Sequence, residues 1–321
     1  MCMLNNFVSE EDFLKFLDKY IPNKDKGLIL GRGDDCAIIC PPKNLLISSD
    51  LFLEDIHFDL SYFTPYYLGY KSLAVNISDI AAMGGEPIGF NMSLMINKSK
   101  AKRDFFREFF LGIKELMDKY NLYLAGGDLS FSKIFGVDIT IWGDAKHKTF
   151  FRKRARAGDL IFITGDIGLS RCGLFALKMG LNKDFNVSVM AHLKPDIHVE
   201  EARIISKNPY VTSLMDVSDG LFKDIYRLIP ENFGAKIELS IDDIHKEVLD
   251  IAKILKEDPI YFAGKGGEDY VLLGTCDIKG ISYLKENIPN IKIIGEVIDR
   301  PEFLINGAPL KGGFDHFQEC L

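Results

Sequence analysis

The sequence predicts a mixed α/β (α+β) protein of two domains. Three observations carry this. Strand-sized apolar runs alternate with helix-period runs in both halves of the chain. The segment Lys148 to Asp159 is charged, has no apolar period and separates the halves, so domains are expected at 1–147 and 148–321. A length of 321 residues, 47% of them hydrophobic and 26% charged, suits one large or two ordinary globular domains.

The elements follow in order. Ser9-Glu10-Glu11-Asp12 reads as a helix start, with Asp12 standing in for the usual Glu of a capping box. Phe13, Leu14, Phe16 and Leu17 then form a helical apolar face. Short strands are expected around Cys36–Ile39 and Leu45–Ser48. Tyr67–Met83 reads as a helix through Leu68, Leu73, Ile77 and Ile80, and Ile88–Ile96 as a strand. Lys102–Tyr120 is helical, with Phe106, Phe109, Phe110, Ile113 and Leu116 on one side. Leu122–Ala125 and Val137–Trp142 read as strands.

The second half opens with a strand, Leu160–Thr164, then a turn at Gly165–Gly168 and a helix, Leu169–Met179. Val211–Met215 is a strand and Leu221–Leu228 a helix. Ile237–Leu239, Tyr270–Gly274 and Ile291–Ile294 read as strands, with helices near Lys246–Lys256 and Ile281–Asn287. No short-period repeat is present.

Bulk properties narrow the function. A net charge of −7 with no offsetting Lys/Arg block argues against a nucleic-acid partner. Residues Met1 to Asp12 lack an apolar signal-peptide core, and no apolar run reaches membrane-spanning length, so a cytoplasmic location is expected. Cys2, Cys36, Cys40, Cys172, Cys276 and Cys320 include no C-x-x-C pair, which argues against a zinc site and for free thiols.

The chemistry lies in acids beside glycines. They occur at Gly31-Arg32-Gly33-Asp34-Asp35, Gly126-Gly127-Asp128, Asp216-Val217-Ser218-Asp219-Gly220 and Gly266-Gly267-Glu268-Asp269. Ser48-Ser49-Asp50 ends an apolar run, and Asp79 interrupts an apolar helix. Carboxylates gathered in this way repel one another unless a cation lies between them. Hard divalent ions take oxygen ligands, and Mg²⁺ pairs a few carboxylates with phosphate oxygens. The pattern therefore points to Mg²⁺ and phosphate.

Each acid also has a plainer role available, as turn residue or helix cap, and Asp219 lies where it could cap a helix. Mid-helix Asp79 is unfavourable by propensity and, if buried, needs a partner or a metal. The turn Gly165-Asp166-Ile167-Gly168 leads into a helix whose N–H groups could hold an anion. No G-x-x-x-x-G-K-[ST], Rossmann or protein-kinase motif is present, so bound ATP would be held through metals rather than a P-loop lysine.

Together these segments resemble the thiamine-monophosphate kinase family of the PurM-like ATP-binding superfamily. The likeness lies in Gly31–Ala37, in Ser49-Asp50 with Asp55-Ile56-His57-Phe58, and in the helix Lys71-Ser72-Leu73-Ala74-Val75-Asn76-Ile77-Ser78-Asp79-Ile80-Ala81-Ala82-Met83-Gly84. It continues through Gly126-Gly127-Asp128, Asp216–Leu221, Gly267–Tyr270 and the tail Gly313-Phe314-Asp315-His316-Phe317, spanning about residues 27 to 317. Ser130, where Thr is common, and Val271, in place of an acid, depart from the pattern.

The resemblance implies a PurM-like two-domain architecture, with an N-terminal mixed-sheet domain that forms a homodimer and a C-terminal α/β domain. It implies transfer of phosphate from ATP to thiamine monophosphate with several Mg²⁺ ions. Asp35, Ser48, Ser49, Asp50, Asp79, Asp128, Asp216 and Asp219 match metal positions. Gly127, Asp128, Arg152 and Ser218 match ATP contacts, with Lys153, Arg154 and Arg156 as competitors for the role of Arg152. His57, Glu268 and Phe314 match substrate contacts.

Two rival readings are an ATP-dependent synthetase that activates an amide or selenide, and a nucleotide- or metal-sensing binding module. Selenophosphate synthetases carry a reactive N-terminal Cys/Sec with Lys that is not recognisable here. The hydrogenase-maturation relative ends in Pro-Arg-Ile-Cys, whereas this chain ends Gln318-Glu319-Cys320-Leu321.

Overall fold

The computed structural model describes residues 5–23, 27–97 and 99–310. The chain divides into two compact units, Met1–Ile80 with Glu86–Lys146, and Ala81–Gly85 with His147–Leu321.

In the first unit, helix α1 (Glu10–Tyr20) begins at Ser9, whose side chain accepts from the Asp12 N–H. Asp12 does not complete the capping box. Its carboxylate takes the Val8 N–H at 3.2 Å and the Arg103 guanidinium. A small antiparallel pair, β1 (Leu28–Leu30) and β2 (Ile38–Ile39), follows. Next come β3 (Leu45–Leu53), α2 (Pro65–Ala82), β4 (Glu86–Asn97), α3 (Arg103–Tyr120), β5 (Tyr123–Gly126), β6 (Leu129–Ser132) and β7 (Gly136–Asp144). The sheet runs β3-β7-β4-β5, with β6 also paired to β4. Strand β4 is antiparallel to β7 and parallel to β5 and β6, so the sheet is mixed.

The apolar stripe of α3 is the centre of this core. Phe106, Phe109, Phe110, Ile113 and Leu116 have no solvent exposure, and each buried side chain of this kind stabilises by about 1.5–3 kcal/mol. Phe106 meets Phe13 edge-on at 4.9 Å and Phe135 at 6.1 Å. Helices α2 and α3 come so close that a side chain at Gly69 would strike the Phe109 carbonyl oxygen at 2.0 Å. Ile80 of α2 packs on Gly143 of β7, so α2 covers one face of the sheet.

The second unit contains β8 (Leu160–Ile163), α4 (Leu169–Lys178), α5 (Asn186–Leu193), α6 (Val199–Ser206), β9 (Val211–Asp216), α7 (Leu221–Leu228) and β10 (Gly234–Ile237). It continues with α8 (Lys246–Leu255), α9 (Pro259–Gly264), β11 (Leu272–Cys276), α10 (Ile278–Asn287), β12 (Lys292–Ile298), β13 (Phe303–Ile305) and β14 (Ala308–Pro309). Its sheet runs β14-β13-β10-β12-β8-β11-β9. Strand β11 is antiparallel to both β8 and β9. Its start therefore lies beside their ends, and three loops, 164–168, 217–220 and 265–271, meet at that end of the strands.

Two expectations are corrected. Strand β3 does not stop at Ser48 but continues to Leu53, so Ser48, Ser49 and Asp50 lie within it rather than at its end. Strand β11 begins at Leu272, not Tyr270, because Glu268 (φ 63°) and Tyr270 (φ 53°) adopt left-handed conformations that interrupt an extended run. Among the described residues no helix is long and apolar enough to cross a membrane. Cys36, Cys40, Cys172 and Cys276 are free thiols, and Cys2 and Cys320 lie outside the described residues.

Candidate functional site

In the first unit, strand alternation sorts the predicted residues. Ser48 and Asp50 share the face that also carries Ile139, Ile141, Phe90 and Met92 in the neighbouring strands. This is the face covered by α2, and there the Ser48 hydroxyl donates to the half-buried Asp79 carboxylate. Asp79 therefore has the partner that its position in an apolar helix demands. Ser49 points to the opposite face, where its hydroxyl lies 3.0 Å from Thr140 Oγ1 and donates to the Ile139 carbonyl at 3.2 Å.

The Gly31–Asp35 loop is tethered by its arginine. Arg32 donates to the carbonyls of Leu124 at 2.8 Å and Ile21 at 2.6 Å, and pairs with Asp18 at 2.7 Å. Asp34 and Asp35 stand exposed beyond this anchor. Gly127 presses on β4, where an added Cβ would lie 1.8 Å from the Met92 carbonyl oxygen. The next residue, Asp128, is stitched to β4 by its carbonyl, which accepts from the Leu94 N–H at 2.9 Å. Met92 pairs with Ile139, which pairs with Asp50, so Gly127 abuts the same cross-strand row as Asp50.

His57 follows β3 in a turn. Its Nδ1 accepts the Leu53 N–H at 3.0 Å, and its ring stacks on Phe52 at 5.8 Å. That bond places the proton of the neutral ring on Nε2.

In the second unit the loops are knitted by backbone bonds. The Glu268 N–H donates to the Ser218 carbonyl at 2.8 Å, and the Tyr270 N–H to the Val217 carbonyl at 2.9 Å. Asp216 is buried at the end of β9, opposite Leu272. The structure thus gathers Asp216, Ser218, Asp219 and Glu268. Glu268 Oε2 lies 3.5 Å from Nδ1 of the buried His192, which also faces the Ser170 hydroxyl at 3.1 Å. Arg152 is exposed, as are Lys153, Arg154 and Arg156. Phe314 and the tail around it lie outside the described residues.

The sequence left Asp224 and Arg227 unmarked. Asp224 sits among Leu221, Phe222, Ile225 and Leu228 on the buried stripe of α7. A carboxylate in an apolar helical stripe is a legible signal, since such a group needs a partner. Its Oδ2 accepts the N–H groups of Ser218 at 3.1 Å and Asp219 at 3.0 Å. Burial pushes this carboxyl up to about 6, against the opposing pull of those bonds and of Arg227. Asp219 does not cap α7, whose first turn follows Gly220 without a side-chain cap, and instead pairs with Arg227 at 2.6 Å and Lys223 at 3.3 Å.

The turn before α4 is filled from within the chain. Asp269 accepts the Gly168 N–H at 2.6 Å and the Ser170 N–H at 3.0 Å, so the helix N-terminus already holds a carboxylate in place of an external anion. Part of the residue reaches solvent, yet the carboxyl is enclosed, and burial pushes it up to about 7. The folded chain therefore holds this proton more tightly than the unfolded chain, whose group titrates near 3.8. Its contribution favours the fold below the unfolded value and is lost as pH rises to about 7. Asp224 acts in the same sense up to about 6. Asp269→Asn is expected to flatten the fall in stability across this window. Urea midpoints measured from acid to neutral pH would show it, and an unchanged slope would contradict it.

Every predicted metal position offers an oxygen donor, from carboxylate or hydroxyl, which suits a hard cation such as Mg²⁺. Among the described residues no three His, Cys, Asp or Glu side chains gather closely enough to hold a metal ion. In each unit taken by itself some of these positions are neighbours: Ser48 bonds Asp79 and shares its strand face with Asp50 in one, and Asp216 and Asp219 flank the turn from β9 to α7 in the other.

The family model described as AIR synthase related protein, N-terminal domain, matches residues 33–145, and that of the C-terminal domain matches residues 156–305. The thiamine-monophosphate kinase of Buchnera aphidicola subsp. Schizaphis graminum is 34% identical over 331 residues, covering 96% of this chain and 99% of its own. The solved thiamine monophosphate kinase of Aquifex aeolicus matches with a TM-score of 0.74 at 25% identity, covering 95% of this chain and 98% of the other. A solved structure of AaThiL complexed with AMPPCP and TMP matches with a TM-score of 0.76 at 27% identity, covering 99% and 98%. By sequence along nearly its whole length, and by fold, the chain belongs to the thiamine-monophosphate kinase family.

Proposed function

We propose that the chain transfers the γ-phosphoryl group of ATP directly to the phosphate of thiamine monophosphate, giving thiamine diphosphate and ADP. The observation that supports this most is the contact of Ser48 with Asp79 beside Asp50, where two distant segments present oxygen donors on one face. The acceptor oxygen is already anionic near neutral pH, so no general base is needed, and none is assigned. Positioning and charge neutralisation carry the rate, as is general for phosphoryl transfer.

Asp35, Ser48, Ser49, Asp50, Asp79, Asp128, Asp216 and Asp219 would hold Mg²⁺, which supplies positive charge that lets two polyanions approach. Gly127 and Asp128, with Ser218 and Arg152, bind the nucleotide. Gly127 lets the loop press against β4, which fixes where Asp128 stands. His57 and Glu268 orient the substrate, with His57 presenting a fixed tautomer and Glu268 backed by His192. Phe314, outside the described residues, is assigned to the substrate by the family resemblance alone. An ATP-consuming reaction and free thiols fit a cytoplasmic location.

The test is ATP consumption with thiamine monophosphate and Mg²⁺. Formation of thiamine diphosphate is expected. Nucleotide binding without phosphorylated product would favour the sensing module, and turnover only with another acceptor would favour the synthetase.

The active unit is a homodimer formed through β3. This strand is at the sheet edge and exposes Leu45 (41%), Ile47 (65%) and Leu51 (45%) on the face away from α2. An exposed apolar edge strand invites pairing, and a second copy of the same strand satisfies it. Ile47→Glu is expected to convert a dimer into a monomer in light scattering. A monomeric parent chain would remove this assignment.

A further inference from the structure

The ion pairs around Asp219 carry one more inference. Arg227 bridges two carboxylates of unequal standing. Its Nη1 lies 2.9 Å from Asp224 Oδ1 and its Nη2 lies 2.6 Å from Asp219 Oδ2. Asp224 is fully buried and is held on its other oxygen by two backbone N–H groups. Asp219 is partly open to solvent, and Lys223 approaches it at 3.3 Å. Two acids thus meet two bases, and the Asp219 carboxylate is neutralised before any ligand arrives.

A divalent cation that binds Asp219 must take the place of a chain cation or share the carboxylate with it, against repulsion. A guanidinium does not give up its proton, so Arg227 leaves by moving, not by titrating.

We propose that Arg227 is a positioning residue, a built-in counter-ion that occupies Asp219 and exchanges with a divalent cation there. The proposal rests on the assignment of Asp219 as a metal position.

The test is Mn²⁺ affinity without nucleotide, read by the electron-spin signal of free Mn²⁺. Arg227→Met is expected to tighten binding roughly tenfold by removing a like charge. Arg227→Lys should stay near the parent value, and Lys223→Met should tighten binding to a smaller extent. These gains should vanish in an Asp219→Asn background, which makes the effect a coupling to that carboxylate and not a general change of charge. Should Arg227→Met fail to fold, Arg227→Gln, which removes the charge but keeps a donor for Asp224, decides.

Folded variants whose Mn²⁺ affinity is unchanged or weaker would overturn the exchange. So would a gain that persists without Asp219. Turnover of thiamine monophosphate by the parent chain is scored separately. A working kinase with Mn²⁺ binding indifferent to Arg227 and Lys223 refutes the exchange alone, while absence of turnover refutes the activity.

Discussion

Asp50→Asn is expected to lower thiamine monophosphate turnover by about 100-fold or more, a loss on the scale seen when one preorganised charge-stabilising group is removed. The amide matches the carboxylate in size, so packing beside Ile139 and Ser48 is kept. What is lost is the anionic oxygen, and with it the attraction for a hard cation. Stability should change by about 1 kcal/mol or less, since no cavity opens. Steady-state kinetics together with a thermal melt separate the two effects. Near-parental turnover would exclude Asp50 from the metal site. A large fall in melting temperature would instead assign it a structural role.

Gly127→Ala should be the most damaging small substitution in the first unit. The new methyl group would meet the Met92 carbonyl oxygen at 1.8 Å, and that oxygen belongs to backbone in the middle of the sheet. Strand β4 is paired on both sides and cannot retreat, so the 126–128 loop must move. The expected cost is about 3 kcal/mol, at the upper end for overpacking. The loop also carries the proposed nucleotide contacts, so the KM for ATP should rise several-fold in whatever protein folds. Normal stability with normal KM would show that the loop is not fixed against β4.

Much of the fold was legible because it is written in period and punctuation. The expected helix Leu221–Leu228 matches α7 residue for residue, and Lys102–Tyr120 matches α3 to within one residue. Both have clean apolar stripes. The stretch from Asn186 to Ser206 was not divided into α5 and α6, since neither carries an apolar stripe as one-sided as that of α7, which is equally short.

At the site, the sequence marked acids next to glycines but not what those acids touch. It could not show that Asp269 serves a helix N-terminus, nor that Asp219 pairs with Arg227. The first depends on two distant loops meeting at the ends of their strands, and the second on how the chain turns into α7, neither of which local spacing encodes. Placing the end of β3 at Ser48 had a similar cause. Ser49 and Asp50 are poor strand formers, and only pairing with Thr140 and Ile139 of β7 keeps them extended.

The alternation along β3 has a consequence for how this segment can change over generations. Under the roles proposed above, successive residues serve different ends, Ser48 and Asp50 the reaction and Ile47 and Leu51 a neighbouring copy. Deleting or inserting one residue near Leu46 would turn the ribbon over and disable chemistry and assembly in a single event. A two-residue change would restore the sidedness of both. Length variation tolerated in this strand should therefore come in even steps, and its two duties should be inherited as one.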